Sequence, residues 1–339
     1  MPSKPLQPDC DLQGAGVILH SYACDGVVPH MPSDIANSAQ VTLFSVVIPV
    51  YNDWATLEQC LRSLEAQTDG PNFEVIVVDD GSEKPAPDSI RQRDGPYPLT
   101  LVSQPNAGIA AARNRGLQHS RGSVIVFTDA DCRFQANCFS ALATTISNFP
   151  QHNCFQLHLT GDCSTVVGRA EELRLIAIQD QMLQPSGCIR YLNTAGFAIR
   201  RARIKNAANL FDPVALRAED TLLLANLIQG GELPFFVTNA VVQHVVSLSF
   251  LQCLRKDLWS AWLEGGIYEM IAARGIQMRM RPRDRLGMLL STWKTSRQYS
   301  LGGAAWFVLV ARQSLQRIVT VTYHCLRIGS NAHAVPNAP

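Results

Sequence analysis

Two acidic pairs in this sequence have types and spacing that could do chemistry. Asp129-Ala130-Asp131 places two carboxylates one residue apart at the end of the apolar run Val124-Ile125-Val126-Phe127-Thr128. Asp79-Asp80 ends a similar run, Phe73 to Val78, and is followed by Gly81-Ser82. Runs of this composition read as buried strands, and in open α/β sheets ligands collect at the carboxyl ends of strands. Two hard oxygen donors there suit Mg²⁺ or Mn²⁺, with phosphate oxygens completing the shell. A solvated strand-end turn is the plainer reading of either pair alone. A carboxylate only accepts hydrogen bonds, so Asp79 or Asp80 can take them from a nucleobase or ribose. Asp131 would hold the metal on a diphosphate. A further acidic pair, Glu219-Asp220, heads a helical pattern and reads as a helix start, where acids are favourable. Between the first two groups lies Arg113, placed to contact phosphate or to pair with one of the acids.

The elements that must position these groups can be read from hydrophobic period. Phe44 to Val50 is a buried-strand run, with Pro49 near its end where a missing N–H is tolerated. Asn52 or Asp53 can cap the next helix, whose Trp54, Leu57, Leu61 and Leu64 recur at three- and four-residue steps. The Phe73 strand follows, so strand, helix and strand form a right-handed parallel unit. Glu83 to Pro98 is a proline-rich connection with a short helix around 89–93, and Leu99–Ser103 a third strand. Asn106 to Gly116 opens a helix whose alanines form a small-residue face able to lie close against a sheet. Gly122 breaks it before the strand that leads to Asp129. Later elements are a helix from about Asn137 to Asn148, a strand over Phe155–Leu159, a helix over Arg169–Leu183 and an extended stretch Ile189–Ile199 interrupted at Ala195-Gly196. A helix from Ala218 to about Ile228, a strand-rich Phe235–Val246 and an aromatic helix over Phe250–Ala273 complete the series. Two groups of acids at the ends of strands in one parallel sheet face the same crevice.

Composition bounds the rest. The chain has 339 residues, 47% hydrophobic and 17% charged, with net charge +1. That supports a full core and supplies no global field for nucleic acid or an anionic membrane. The ten cysteines are scattered, with no C-x-x-C pair, and read as reduced, buried small hydrophobes of a cytosolic protein. No signal-peptide pattern and no run of about 18 apolar residues is present. Gly14-Ala15-Gly16 lacks the preceding strand and third glycine of a dinucleotide turn. His244, within Val241 to Val246, reads as a core residue, and Trp259 and Trp262, one turn apart, as packing residues. Arg279 to Arg327 mixes basic residues with short apolar runs. It fits amphipathic helices on a membrane surface, a helical appendage, or a dimer contact.

Taken in order, Val-Ile-Pro-Val-Tyr-Asn, Val-Val-Asp-Asp-Gly-Ser, Asn-Ala-Gly-Ile-Ala-Ala-Ala-Arg-Asn, Phe-Thr-Asp-Ala-Asp and Ala-Glu-Asp resemble the family 2 inverting glycosyltransferases over about residues 43 to 250. The resemblance implies an α/β, GT-A type fold, a Rossmann-like mostly parallel sheet flanked by helices, here with a helical C-terminal appendage. It implies a nucleotide-diphosphate sugar donor, a UDP-sugar by expectation, bound by Pro49, Tyr51, Asn52, Asp79, Asp80, Asn106, Gly108, Arg113, Asp129 and Asp131. It assigns a divalent metal, Mn²⁺ or Mg²⁺, to Asp131 with Asp129 nearby, and adds His244, since members often place a histidine there. The general base falls on Asp220, with Glu219 beside it and able to raise its pKa. The acceptor is a saccharide or lipid-linked molecule, with no nucleic acid, and the C-terminal region makes a peripheral contact on the cytoplasmic face of a membrane. Where many members carry a further acid after the metal motif, this chain has Cys132. Asn193 to Arg201 matches the family's acceptor-side stretch only loosely.

The expected organisation is a loosely ordered arm over 1–40, a catalytic domain over 41–250, a helical region over 251–328 and a tail over 329–339. The catalytic domain divides into a nucleotide-binding half, 41–133, and an acceptor half, 134–250. Two other classes remain. A nucleotidyltransferase usually needs a glycine-rich, basic phosphate loop after the first strand, where this chain has Val50-Tyr51-Asn52-Asp53. A sugar-nucleotide-binding protein without transferase activity would share the fold.

Overall fold

Alternating side-chain direction in the first strand sets up two layers. The computed structural model describes residues 44–331 apart from 214, 216, 247, 274 and 277–281. The expected arm over 1–40, with its Gly14-Ala15-Gly16, and residues 332–339 of the expected tail lie outside the described residues. In β1 (Phe44–Val50) every residue is buried. Val46 and Ile48 point to one face, where they meet Leu57, Leu61 and Leu64 of α1 (Trp54–Glu65) and Phe139 and Leu142 of α4 (Cys138–Asn148). Val47 points to the other, with Ala110 and Leu117 of α3 (Ile109–His119) and Leu223, Leu224 and Leu227 of α6 (Glu219–Gln229). This is the two-residue period of a strand buried on both sides. β2 (Phe73–Asp79) and β4 (Val124–Phe127) divide their side chains the same way.

The small-residue face expected of α3 is used. A Cβ at Gly116 would lie 2.4 Å from Val47 Cγ1 and 3.2 Å from Val78 Cγ2, so the helix rests on the sheet at glycine distance. β3 (Leu99–Ser103) follows the connection that holds the short α2 (Asp88–Arg91).

The remaining strands are β5 (Cys132–Phe134), β6 (Cys154–Gly161), β7 (Phe197–Arg200) and β8 (Phe235–His244). The sheet has the order β3-β2-β1-β4-β7-β6-β8-β5. The pairs β1–β2, β1–β4, β2–β3 and β6–β8 are parallel, whereas β4–β7, β6–β7 and β5–β8 are antiparallel. The mostly parallel sheet expected from the sequence is thus parallel where β1 to β4 meet and mixed beyond. The interruption at Ala195-Gly196 is a single 3₁₀ turn, Thr194–Gly196, leading into β7. β5 has only three residues, too few for a periodic signal, and goes unread in the sequence.

α5 (Val166–Met182) connects the sheet to the C-terminal helices α7 (Phe250–Ala273), α8 (Pro282–Gln298) and α9 (Gly303–Asn331). Its Leu175 joins the main core, while Ala170 and Leu173 pack on Leu301, Ala305 and Leu309. A second small cluster joins Leu222 and Ala225 of α6 to Ile267 and Ile271 of α7. Arg312 of α9 donates to both carboxylate oxygens of Asp257 on α7, at 2.6 and 3.1 Å. The helical region is therefore bound to the sheet domain through packed apolar contacts. Among the described residues, no helix is long and apolar enough to cross a membrane. The described cysteines are free, and Cys60, Cys132, Cys138, Cys154, Cys188 and Cys253 are buried.

Candidate active site

Parallel register brings the acid-bearing strand ends to one edge. Val50 pairs with Asp79, and Asp79 with Ser103, while β4 runs beside β1 up to the pair Val47–Phe127. Pro49 is buried inside β1. The Val47 carbonyl accepts from Thr128, so alternation turns Pro49 to the same side, past the last β1–β4 pair. No ladder hydrogen bond is lost there. Tyr51, at the exit of β1, is half exposed. Asn52 adopts φ 57°, a left-handed conformation uncommon outside glycine. It is held by Ser82 and Glu83. Its N–H donates to Ser82 Oγ at 2.9 Å, and its Oδ1 accepts from the Glu83 N–H at 2.8 Å.

Asp79 and Asp80 are turned inward. Asp79 Oδ1 accepts from the Ser82 N–H at 2.9 Å. Asp80 accepts three bonds: from Gln104 Nε2 and the Ala107 N–H on Oδ1, at 2.8 and 2.9 Å, and from the Gly108 N–H on Oδ2 at 2.9 Å. Both are nearly buried. Asp80 therefore shapes the loop that carries Asn106 and Gly108 into α3. Gly81 is required here, with φ 78° and a Cβ position 2.6 Å from the Asn106 nitrogen.

Arg113 draws two acid groups together. It is 1% exposed; Nη2 donates to Asp129 Oδ1 at 2.6 Å and Nη1 to Glu219 Oε1 at 2.5 Å. Its guanidinium lies over the Phe211 ring, 5.7 Å from the centroid, and Nε has no hydrogen-bond partner. Burial opposes its charge, but Asp129 and Glu219 more than compensate and raise its pKa. Of the two alternatives for Arg113, pairing with an acid is what is found, and it pairs with two. The next residue, Asn114, donates to the Phe211 carbonyl at 2.7 Å and accepts from the Phe211 N–H at 3.0 Å. The sequence reading gave Asn114 no role, yet it fixes the segment leading into α6.

At the start of α6, Ala218 adopts φ 59°. A non-glycine residue in this region marks local strain. Asp220 Oδ1 accepts from the N–H of Thr221 at 2.6 Å and from its hydroxyl at 3.2 Å. Among the described residues no ion pair to Asp220 is found. Burial, then the neighbouring charge of Glu219, pushes the Asp220 carboxyl up to about 7. That is the working range of a general base near neutral pH. Glu219 is committed to Arg113.

Asp131 meets His244, with Nε2 3.4 Å from Oδ2. The contact depends on β5, where Cys132 pairs with His244, and on the Val245 N–H donating to the Asp131 carbonyl at 2.9 Å. Burial disfavours a charged imidazole, but Asp131, then Glu171 and Asp129, push His244 up to about 9. Burial would raise Glu171 too, yet Arg174, at 3.0 and 2.6 Å, holds it down to about 2. His244 is thus part of a charged cluster, not an apolar core. Asp129 is given to Arg113, which leaves Asp131 and His244 as candidate donors to a metal. Among the described residues no group of three or more His, Cys, Asp or Glu could hold a metal. One carboxylate and one imidazole suit Mn²⁺ if phosphate and water oxygens supply the other ligands. The Cys132 thiol, raised well above its usual range by burial and by Asp131, adds no thiolate.

The C-terminal helices close this side. A cavity of about 340 Å³ is lined by Glu171, Arg174, His244, Lys256, Glu264 and Arg312, among others. Burial pushes Glu264 up to about 7. Sequence reasoning missed Glu171, Arg174 and Glu264. The Glu171-to-Arg174 spacing on a helical pattern was a visible sign of a pair; no local pattern points to Glu264.

Residues 45–206 match the family described as glycosyl transferase family 2. Glycosyltransferase AglE of Haloferax volcanii is 35% identical over 106 residues, which cover 30% of this chain and 35% of that protein. The undecaprenyl-phosphate 4-deoxy-4-formamido-L-arabinose transferase of Pseudomonas paraeruginosa is 38% identical over 96 residues, 27% of this chain and 28% of that protein. The chain therefore spans only about a third of the length of these curated relatives. The mannosyltransferase PcManGT of Pyrobaculum calidifontis, solved with GDP-Man and Mn²⁺, superposes with a TM-score of 0.52 at 18% identity, covering 91% of this chain and 85% of that one. S. aureus TarS 1-349 in complex with UDP gives 0.51 at 18% identity, covering 84% and 91%.

Proposed function

We propose, from the match of residues 45–206 to glycosyl transferase family 2 and from the GT-A fold of the chain, that it moves a sugar from a nucleotide-diphosphate sugar to an acceptor hydroxyl, with inversion. The observation that carries this reading is the Arg113 bridge. It ties the Asp129-Ala130-Asp131 turn to the Glu219-Asp220 helix start, with hydrogen bonds of 2.6 and 2.5 Å.

In this reading Tyr51 and Asn52, on the loops shaped by Asp79 and Asp80, receive the nucleoside of the donor. Structural neighbours solved with UDP and with GDP-Man support a nucleotide sugar and leave the base open. Asp131 and His244 would hold a divalent ion, a reading supported by the Mn²⁺ bound to the Pyrobaculum calidifontis neighbour; when bound, such an ion neutralises the diphosphate leaving group. Inversion is a single in-line displacement, so the acceptor hydroxyl must lose its proton as it attacks. Asp220 takes that proton on a carboxylate oxygen. Its buried setting makes it basic enough to do so near neutral pH. Glu219 supplies the neighbouring charge and accepts a hydrogen bond from Arg113. A relative named for undecaprenyl phosphate supports a lipid-linked acceptor.

The test is a thermal-shift panel of nucleotide sugars with and without Mn²⁺, since a ligand that binds only the folded state raises apparent stability. At least one nucleotide sugar is expected to raise Tm in the presence of Mn²⁺, and Asp131→Ala is expected to remove that response. No shift with any nucleotide sugar would defeat the proposal.

A further inference from the structure

Beside the site, the C-terminal helices carry an apolar surface that packing among the described residues does not cover. Leu251 is 73% exposed, Trp259 61% and Trp262 41% on α7, and Ile318 60% on α9. Large apolar residues exposed together mark an interaction site, unlike the same residues scattered singly. Between the two helices lies a groove of about 970 Å³, walled by Leu251, Leu258, Trp259, Trp262 and Val319. The helices run in the same direction, since Asp257 meets Arg312 and, further along both, Trp262 meets Tyr323 with ring centroids 5.1 Å apart. Trp259 and Trp262, expected from sequence to be packing residues, are wall residues of this groove.

The groove leads to the site. Leu248 and Lys256 line both it and the 340 Å³ cavity that contains His244, Glu171 and Glu264. The arginines of that cavity are committed, Arg174 to Glu171 and Arg312 to Asp257. Among the described residues Lys256 is the lining cation that no carboxylate holds at ion-pair distance. Its charge acts on Asp131. Arg255 stands next to it on the groove wall, and no acidic residue lines the groove among the described residues. A polar cavity, a basic junction and an apolar lane therefore follow one another outward from Asp131.

We propose that this lane binds an amphiphilic acceptor, with its sugar in the polar cavity, its phosphate at Lys256 and its hydrocarbon chain in the Trp259–Trp262 groove. The proposal rests on the transferase reading for the identity of the acceptor, but the binding lane stands on its own geometry. A cavity of this size is in the range of small-ligand sites. A Lys ammonium is a compact point charge suited to phosphate, and tryptophans present wide apolar faces with a polar edge. A partner helix could fill the groove, but the continuity with the site and the basic junction favour a molecule whose far end reaches the acids.

The test is calorimetric titration of the full chain with dodecyl phosphate, held below its critical micelle concentration. Saturable binding is expected, with no heat from inorganic phosphate alone. The double variant Leu251→Asp, Trp259→Asp, at positions already facing solvent, is expected to weaken dodecyl phosphate at least tenfold while keeping its Tm. Lys256→Gln is expected to weaken dodecyl phosphate several-fold and leave uncharged dodecyl maltoside unchanged. Undiminished binding of dodecyl phosphate to the double variant overturns the groove assignment. Equal loss of phosphate and maltoside at Lys256→Gln overturns the junction. Self-association that the double variant abolishes, without any dodecyl phosphate binding, makes the groove an interface between copies and overturns the proposal. Nucleotide-sugar titration of the same proteins separates the two readings. Dodecyl phosphate binding without any donor response defeats the transferase reading alone, and a donor response without dodecyl phosphate binding defeats this one alone.

Discussion

A carboxylate's role depends on what its oxygens already hold. Asp80 accepts from Gln104, Ala107 and Gly108, so its removal should be felt without any ligand. Asp80→Ala is expected to destabilise the free protein by about 1–3 kcal/mol, the cost of leaving buried donors unsatisfied. Denaturant melts without nucleotide check this, because a residue serving only as a ligand contact would leave them unchanged. Asp220 presents the opposite case. Its pKa is pushed up to about 7 by burial and by Glu219, so the folded state favours the protonated form. The stability this carboxyl contributes is full below its ordinary pKa and is lost as pH rises through about 7. Over the same interval the basic form appears. Turnover is expected to climb about tenfold per pH unit below 7 and then level off, while Asp220→Asn removes transfer by roughly 10²–10⁴-fold and keeps donor binding. A rate unaffected by pH between 5 and 8 would give the base role to another residue. Asp79-Asp80 and Asp129/Asp131 were legible because each pair stops an apolar run, and Glu219-Asp220 because it heads a helical one. Their divergent surroundings were not, since the donors to Asp80 and the arginine on Glu219 come from distant parts of the chain.

Elements with a clear period declared themselves, and the three-residue β5 did not. The stretch Phe250–Ala273 read as one helix, and it is α7 to the residue. The three residues of β5 carry no period at all, yet their pairing sets Cys132 opposite His244. Reading His244 as a core residue follows from missing that strand. The alanine-rich face of α3 was visible in sequence, while its distance from the sheet was not. With Val47 Cγ1 2.4 Å from where a Gly116 Cβ would stand, Gly116→Val must push the helix outward. A loss of about 1–3 kcal/mol is expected from overpacking, measured by denaturant midpoint. Because α3 carries Arg113, donor binding should weaken in the same variant.

At the scale of the molecule, the C-terminal helices were readable as an appendage and turn out to be part of the fold. Ala170 and Leu173 on α5 are covered by Leu301, Ala305 and Leu309, and Arg312 reaches back to Asp257. Ending the chain after Ala273 is expected to uncover this cluster, lower Tm and promote aggregation, as seen by light scattering during a melt. A truncated chain with the stability of the full one would make the helices an independent attachment. The sheet order holds a further consequence. Val124 of β4 pairs with Arg200 of β7, and β7 then pairs with β6, which lies between them in sequence. The strand leading to Asp129 thus gains its second neighbour only after a long loop has closed, and such distant pairings are slow to form. On the ribosome, the first four strands would emerge with one flank of β4 bare, so the nascent half-sheet should depend on chaperones until residue 200 has cleared the exit tunnel.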